Sequence, residues 1–327
     1  MIHQFFCVFE LDKCIGRDVP DPYKIIFHVD TISRRGCYDF PMQTLRAVIG
    51  ETHGQGKAIA HFNMSDSNQL EAIAQASRET MMPVIVGLSE GEREFFPLSH
   101  TRALINEYNK EGVLLYLNAD HTYSIEKAKA AIDAGVDSIV IDGAKLSFED
   151  NVAYASEVVV YARASGRDVV LEGELGYIGS SSKVMDALPE GAAVTEELMT
   201  KPEEIKTFVE RTHVDMMAPA VGNVHGIVRG GDPKLSIERI AILAQAAGVP
   251  LVLHGGSGNK NEEFTEAVKA GIAIIHINTE LRLAYRTGLE DSLKANPDEV
   301  APYKILNPAI AHMVDFLVAR IRLFAGQ

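Results

Sequence analysis

Read for chemistry, the chain repeatedly sets a metal-binding or acid-base side chain just after a short apolar run. These places hold His61-Phe62-Asn63, Gly87 with Ser89, Asn118 with Asp120 and His121, Asp142, Glu172 with Glu174, His225, His254, and His276 with Asn278. Imidazoles ligate transition metals well. Three of them on separate segments, His121, His225 and His254, suit a catalytic ion that keeps one coordination position open. Ligand type does not dictate zinc, because imidazole also takes iron, copper or nickel. A single histidine at such a place is ordinarily a satisfied polar residue, and it is the joint placement that argues for a site. His3, His28, His53, His100, His213 and His312 have no such company and read as surface or structural positions.

A second signal is LHGGSG (253–258), where glycines directly after an apolar run let backbone N–H groups close around an anion. The same glycines also fit a tight turn, but next to a metal-ligand candidate the anion cradle is favoured. Gly256, Ser257, Asn278 and Thr279 fall where barrel folds commonly bind phosphate, and Gly222, Gly226 and Arg229 would add a turn and a positive charge. Asp120 is a candidate general acid or base, while Asp142, Glu172 and Glu174 would bind a second cation or orient the histidines. No HExxH pattern and no GxSxG elbow occurs.

The elements that must carry these groups are legible as eight apolar runs. They are 57–62, 83–87, 113–118, 138–142, 168–174, 214–219, 250–254 and 271–278. Helix-period segments such as 67–80, 124–135, 151–166, 202–212 and 237–248 lie between them. Near-continuous apolar strands separated by helices imply a parallel sheet buried on both faces, and eight such units predict a (β/α)8 barrel, that is, a TIM barrel of the α/β class. An open doubly wound sheet is the alternative, without a GxGxxG fingerprint to favour it. Strand C-terminal ends share one mouth in such a barrel, which is where the polar residues fall. Residues 179–201 are too long for an ordinary connection and read as a mobile lid. Residues 1–41 lack this regularity and read as an N-terminal extension to a barrel spanning 42–327.

Composition narrows the partners. With 31 basic and 45 acidic residues the net charge of −14 disfavours nucleic acid and anionic membranes, so an anionic substrate must be met by a local site. No apolar stretch approaches a membrane span, and the start has no secretory-signal pattern. Cys7, Cys14 and Cys37 all precede the regular region, so the core is built without disulfides, and a cytoplasmic location is expected.

At these residues the chain resembles the class II fructose-bisphosphate and tagatose-bisphosphate aldolases. The matching blocks are PVIVGLSEGE, LNADHTYSIEKAKAAIDAGVDSIVIDG, EGELGYIG, FVERTHVDMMAPAVGNVHG, LVLHGGSG and INTELRLAYRTGLEDSL, in order over roughly 42–327. The resemblance implies zinc on His121, His225 and His254, a second divalent or monovalent cation at Asp142 and Glu174, and Asp120 as the acid-base residue. It further implies that Gly226, Gly255, Gly256, Ser257, His276, Ile277, Asn278 and Thr279 bind the dihydroxyacetone phosphate half. Asn63, Ser89, Glu172 and Arg229 are further candidates. The implied reaction is reversible cleavage of a ketose 1,6-bisphosphate, by default the fructose sugar of glycolysis, to dihydroxyacetone phosphate and glyceraldehyde 3-phosphate. Tagatose bisphosphate or another phospho-ketose is the alternative substrate. A turnover-deficient metal- and phosphosugar-binding protein and a metallohydrolase are the other readings. A homo-oligomer, dimer or tetramer, is implied, and the apolar segment 302–324 is expected to cover a barrel end or a neighbouring subunit. Two departures stand out: GSSSKV (179–184) replaces a loop that carries an acidic residue in the family, leaving Asp186 and Glu190 as substitutes, and His276 replaces an asparagine.

Overall fold

The computed structural model describes residues 43–327 apart from Ser180, Ser181 and Asp232. The expected extension 1–41, its cysteines and Met42 lie outside the described residues. The strands are β1 (Ile59–Asn63), β2 (Val84–Leu88), β3 (Leu115–Thr122), β4 (Ser138–Ile141), β5 (Val170–Leu175), β6 (Met216–Pro219), β7 (Leu251–Leu253) and β8 (Ile272–Ile277). All pair in parallel with their sequence neighbours, and β8 returns to β1, closing the barrel.

The helices are α1 (Leu45–Gly54), α2 (Ser67–Thr80), α3 (Glu90–Phe95), α4 (Leu98–Lys110), α5 (Ile125–Asp133) and α6 (Phe148–Ala164). They continue with α7 (Pro202–Thr212), α8 (Ile237–Ala247), α9 (Asn261–Ala270), α10 (Thr279–Ala295) and α11 (Pro302–Phe324). Several start where a short polar side chain takes up free first-turn N–H groups: Asp66 caps α2, Ser124 α5, Ser147 α6 and Ser236 α8. The main apolar core lies between the sheet and this ring. Burying each of its large side chains contributes roughly 1.5–3 kcal/mol.

Inside the barrel the composition changes with height. At the N-terminal end α1 offers Leu45, Val48 and Ile49, the i, i+3, i+4 stripe of a helix, to Ile59, Ile85, Tyr116, Val170, Met216, Val252 and Ile274. One step further along the strands the interior turns polar: His61, Asn118, Ser138, Glu172, His254 and His276 are all buried. Residues two positions apart on a strand share a face, so Asn63, Asp120 and Glu174 continue this polar wall toward the C-terminal mouth.

Two expectations change. The helix 302–324 forms, but it packs on α2 and α10 in the outer ring, and the barrel end is covered by α1. In the segment 179–201, Val184–Met185 pairs in parallel with Ile227–Val228, and Ala192, Ala193 and Met199 are buried, so much of the expected lid is anchored to the loop that carries His225.

Candidate metal and substrate site

Asp120 and His121 are neighbours on β3, and a regular strand would point them to opposite faces. The pairing of β3 with β4 slips between Ala119 and Thr122, and His121 has a φ of 34°. This irregularity turns both side chains toward the mouth. Positive φ in a non-glycine residue costs on the order of 1–3 kcal/mol and persists where surroundings impose it. Here Arg93 of α3 donates to the carbonyl oxygens of Asp120 (3.4 Å) and His121 (3.2 Å) and to Oγ1 of Thr122 (3.1 Å).

The three histidines converge. The His121 ring centroid is 4.9 Å from those of both His225 and His254, and one donor atom each from His121, Glu174, His225 and His254 lies within 4.8 Å of all the others. Carboxylates lie against two of the three rings. Nδ1 of His121 is 2.8 Å from Asp142 Oδ2 and 3.2 Å from Glu174 Oε2, while Nε2 of His254 is 2.7 Å from Glu172 Oε1. His225 rides on the loop after β6, where its backbone N–H donates to Ile178 O (2.9 Å). Asn223 ties that loop to β7 by donating to the carbonyl of His254 (2.9 Å). Nε2 of His225 and Oε2 of Glu174 are buried without a hydrogen-bond partner. Unpaired buried lone pairs beside two further imidazoles fit a cation.

The electrostatics agree. Burial opposes a charge on His121, but Asp120, Glu174 and Asp142 outweigh it and hold its imidazolium well above the usual histidine range. Burial pushes Glu174 up to about 7. It pushes His225 and His254 down to about 3, so both stay neutral ligands. Asp120 is held well below the usual carboxylate range: burial works against its charge, and His121, His276 and His61 more than offset it. Its Oδ2 accepts from Asn63 Nδ2 (2.8 Å).

A cavity of about 180 Å³ opens above these groups, lined by Asp120, His121, His225, Gly226, Gly255, Ser257, His276, Asn278 and Thr279, with Asn63, Ser89 and Arg282 on the β1–β2 side. Gly255 has φ 59°, and a Cβ there would come within 2.3 Å of Val224 O, so only glycine lets this loop meet the His225 loop. Asn278 precedes α10 without capping it, and its Oδ1 is buried and unpaired, so the N-terminal end of a 17-residue helix opens on the cavity.

Other sequence candidates fall elsewhere. Gly256 does not line the cavity, and its N–H is taken by His276 O (3.2 Å). The side chain of Ile277 is buried in the outer core, which leaves only its backbone for a ligand. Arg229 is exposed and pairs with Asp186 (3.3 Å), away from the cavity lining, and Glu190 is exposed and also outside it. Asp142 and Glu174, expected to hold a second cation, meet on Nδ1 of His121; the donor groups close enough to share an ion include Glu174 but not Asp142 among the described residues.

Sequence reasoning missed Arg282, Arg93 and Asn223. Arg282 is the only lining residue with a permanent positive charge among those described; it reaches Glu92 (2.6 Å), which also accepts from Asn63 (2.9 Å) and Ser89 (2.8 Å). Its signal was present in NTELR, an arginine one turn into a helix that starts at a strand end.

The profile of class II fructose-bisphosphate aldolases matches residues 43–327. The probable fructose-bisphosphate aldolase of Bacillus subtilis is 33% identical over 292 residues, 88% of this chain and 99% of that protein. The fructose-bisphosphate aldolase of Geobacillus stearothermophilus is 33% identical over 289 residues, 87% and 97% of the two chains. Among solved structures, the YdjI aldolase from Escherichia coli K12 superposes with a TM-score of 0.71 at 26% identity, covering 86% of this chain and 96% of that one. A fructose-bisphosphate aldolase from Campylobacter jejuni, at 20% identity and TM-score 0.70 over 86% and 93%, shares the fold. No helix among the described residues is long and apolar enough to cross a membrane. Sequence and barrel therefore agree: the chain belongs to the class II fructose-bisphosphate aldolase family, whose members are metal-dependent aldehyde-lyases.

Proposed function

We propose that this aldolase reversibly cleaves a ketose 1,6-bisphosphate, by default fructose 1,6-bisphosphate, to dihydroxyacetone phosphate and glyceraldehyde 3-phosphate, with zinc as its ion. The observation that carries this reading is the convergence of donor atoms from His121, His225, His254 and Glu174 beside an ionised, buried Asp120. His121, His225 and His254 would hold the ion. Bound there, it would polarise the ketone and stabilise the negative charge that develops on the carbonyl oxygen as the carbon-carbon bond breaks.

The chain's own residues supply the rest. Glu172 fixes His254 and Asp142 fixes His121, so neither ring has to reorganise. In the cleavage direction Asp120 takes the proton of the C4 hydroxyl as that carbon becomes the aldehyde; the electron pair of the C3–C4 bond passes toward the carbonyl, and C3 then takes a proton from solvent, in balance with the one Asp120 releases, to give dihydroxyacetone phosphate. In the reverse direction Asp120 returns the proton. Asn63 orients Asp120 through Oδ2, which leaves Oδ1, buried and unpaired, for the substrate.

The proximal phosphate fits between Gly226, Gly255, Ser257 and the start of α10, where backbone N–H groups and the helix dipole favour an anion. Arg282, whose guanidinium keeps donors beyond the one on Glu92, offers a positive charge for the distal phosphate, which favours a bisphosphate over a monophosphate.

Product identification with zinc-loaded protein tests this reading. Fructose and tagatose 1,6-bisphosphates and fructose 1-phosphate are offered, and dihydroxyacetone phosphate is measured. Cleavage of a bisphosphate is expected. Tight zinc-dependent binding of every sugar without turnover would overturn it in favour of a binding protein.

A further inference from the structure

His61 is fully buried, lies outside the cavity lining, and yet is built into the site with care. It stands opposite His276 in the pairing of β1 with β8, and the two rings stack with centroids 3.5 Å apart and planes within 4°. The other face of His276 stacks on His254 at 4.0 Å and 21°. His276 is thus clamped between His61 and a proposed zinc ligand. The position of His61 is set in turn by its far edge. Its Nε2 is 3.1 Å from Asn118 Oδ1, and Asn118 is bonded to Ser138 Oγ (2.7 Å). This contact reaches across β2, and only because residue 87 is glycine: a Cβ there would come within 2.2 Å of the His61 ring.

The clamp fixes what the site presents. Nδ1 of His276, which does line the cavity, is 3.6 Å from Oδ1 of Asp120, the oxygen with no hydrogen-bond partner. One donor atom each from His61, Asp120 and His276 lies within 4.8 Å of the other two. Cofacial rings cannot both point their lone pairs at one ion, since a ligated metal lies near the plane of each imidazole. The pair is therefore a platform and not a second metal site.

We propose that His61 is a positioning residue of the aldol site: by stacking on His276 it fixes the edge of that ring against Asp120 and so sets how the hydroxyl-bearing carbon of the ketose is received. The inference rests on the aldolase reading above. His61 and His276 then work as one unit, and the value of His61 exists only while His276 is an imidazole.

A double-mutant cycle tests this with zinc-loaded enzyme and fructose 1,6-bisphosphate. It compares wild type, His61→Gln, His276→Asn and the double variant, with kcat, KM, zinc content and thermal midpoint read for each. Glutamine keeps a polar group for Asn118 but loses the ring; His61→Asn replaces it if the glutamine variant does not fold. His61→Gln is expected to lower kcat about tenfold with zinc content and KM nearly unchanged, and by less than about twofold in the His276→Asn background. Equal fold losses in both backgrounds, no loss in either, or a loss that tracks zinc content would overturn the inference. A wild type that cleaves no bisphosphate would remove the aldolase reading and the inference with it, a result distinct from an additive cycle in an active enzyme.

Discussion

At its N-terminal end the barrel is closed by α1, whose apolar stripe meets an apolar floor and whose Arg46 is bonded on several sides. Arg46 bonds Asp168 (2.9 Å), Asp215 (2.6 Å) and Val169 O (3.1 Å), while Asp215 also accepts from Arg163 and from Leu171 N. The C-terminal mouth is the opposite. Of the seven buried polar side-chain atoms without a hydrogen-bond partner among the described residues, four lie there, on Asp120, Glu174, His225 and Asn278, and a fifth, on His61, lies in the layer beneath. Each such atom costs roughly 1–3 kcal/mol. One end stabilises the fold, and the other holds polar groups in readiness for an ion, hydroxyls and phosphate.

The comparison breaks most directly at the metal. Chelation should reduce cleavage more than about a thousandfold, with zinc restoring it, because charge stabilisation at the carbonyl is the largest contribution asked of the site. Turnover that survives complete metal removal, verified by elemental analysis, would end the argument for a demanding mouth. Asp120→Ala comes next: kcat should fall by about 10²–10⁴-fold with zinc content unchanged, and parallel loss of zinc would make Asp120 a structural residue.

Arg282→Ala should raise KM for a bisphosphate by about tenfold or more while changing kcat less, as removal of uniform binding does. A KM unchanged from wild type would place the distal phosphate elsewhere. Zinc affinity should also depend on pH in a stated direction. Without metal, His121 holds its proton above the usual range and Glu174 titrates at about 7, so falling pH fills both with protons that zinc must displace. His225 and His254, depressed to about 3, take up none between pH 8 and pH 6. Affinity should therefore weaken as pH drops through 7, by about tenfold per unit for each proton displaced. Calorimetry in buffers of different ionisation enthalpy reads that proton count, and zero released protons would contradict it.

The smallest effect belongs to the quiet end. Arg46→Ala should lower unfolding free energy by about 1–2 kcal/mol, since its pairs are partly exposed and Asp215 keeps other donors. Because α1 is remote from the mouth, kcat should stay within about twofold. A large loss of kcat would show that the two ends are coupled.

Much of the barrel was legible because its code is local. Eight apolar runs mark the strands within a few residues, although β3 extends through Thr122 and carries the irregularity at its end. The short helix α3 and helices α4, α9 and α10 escaped the pattern reading, and α11 was recognised only as an apolar segment. Two of these helices carry a side chain whose partners only the fold supplies, Arg93 in α3 and Arg282 in α10.

By itself the sequence determined the alternation of strands and helices, the placing of polar residues at strand ends, and the pairs Glu172/Glu174 and Asn118/Asp120, since side chains two apart on a strand must share a face. It could not determine that Asp120 and His121 face the same way, because that requires a break in the strand's own period, held by Arg93 from another element. Nor could it place Arg282 on Glu92, 190 residues away, or stack His61 on His276 through a slot left by Gly87. Those arrangements depend on barrel closure, which brings distant strands into register and converts separate side chains into one site.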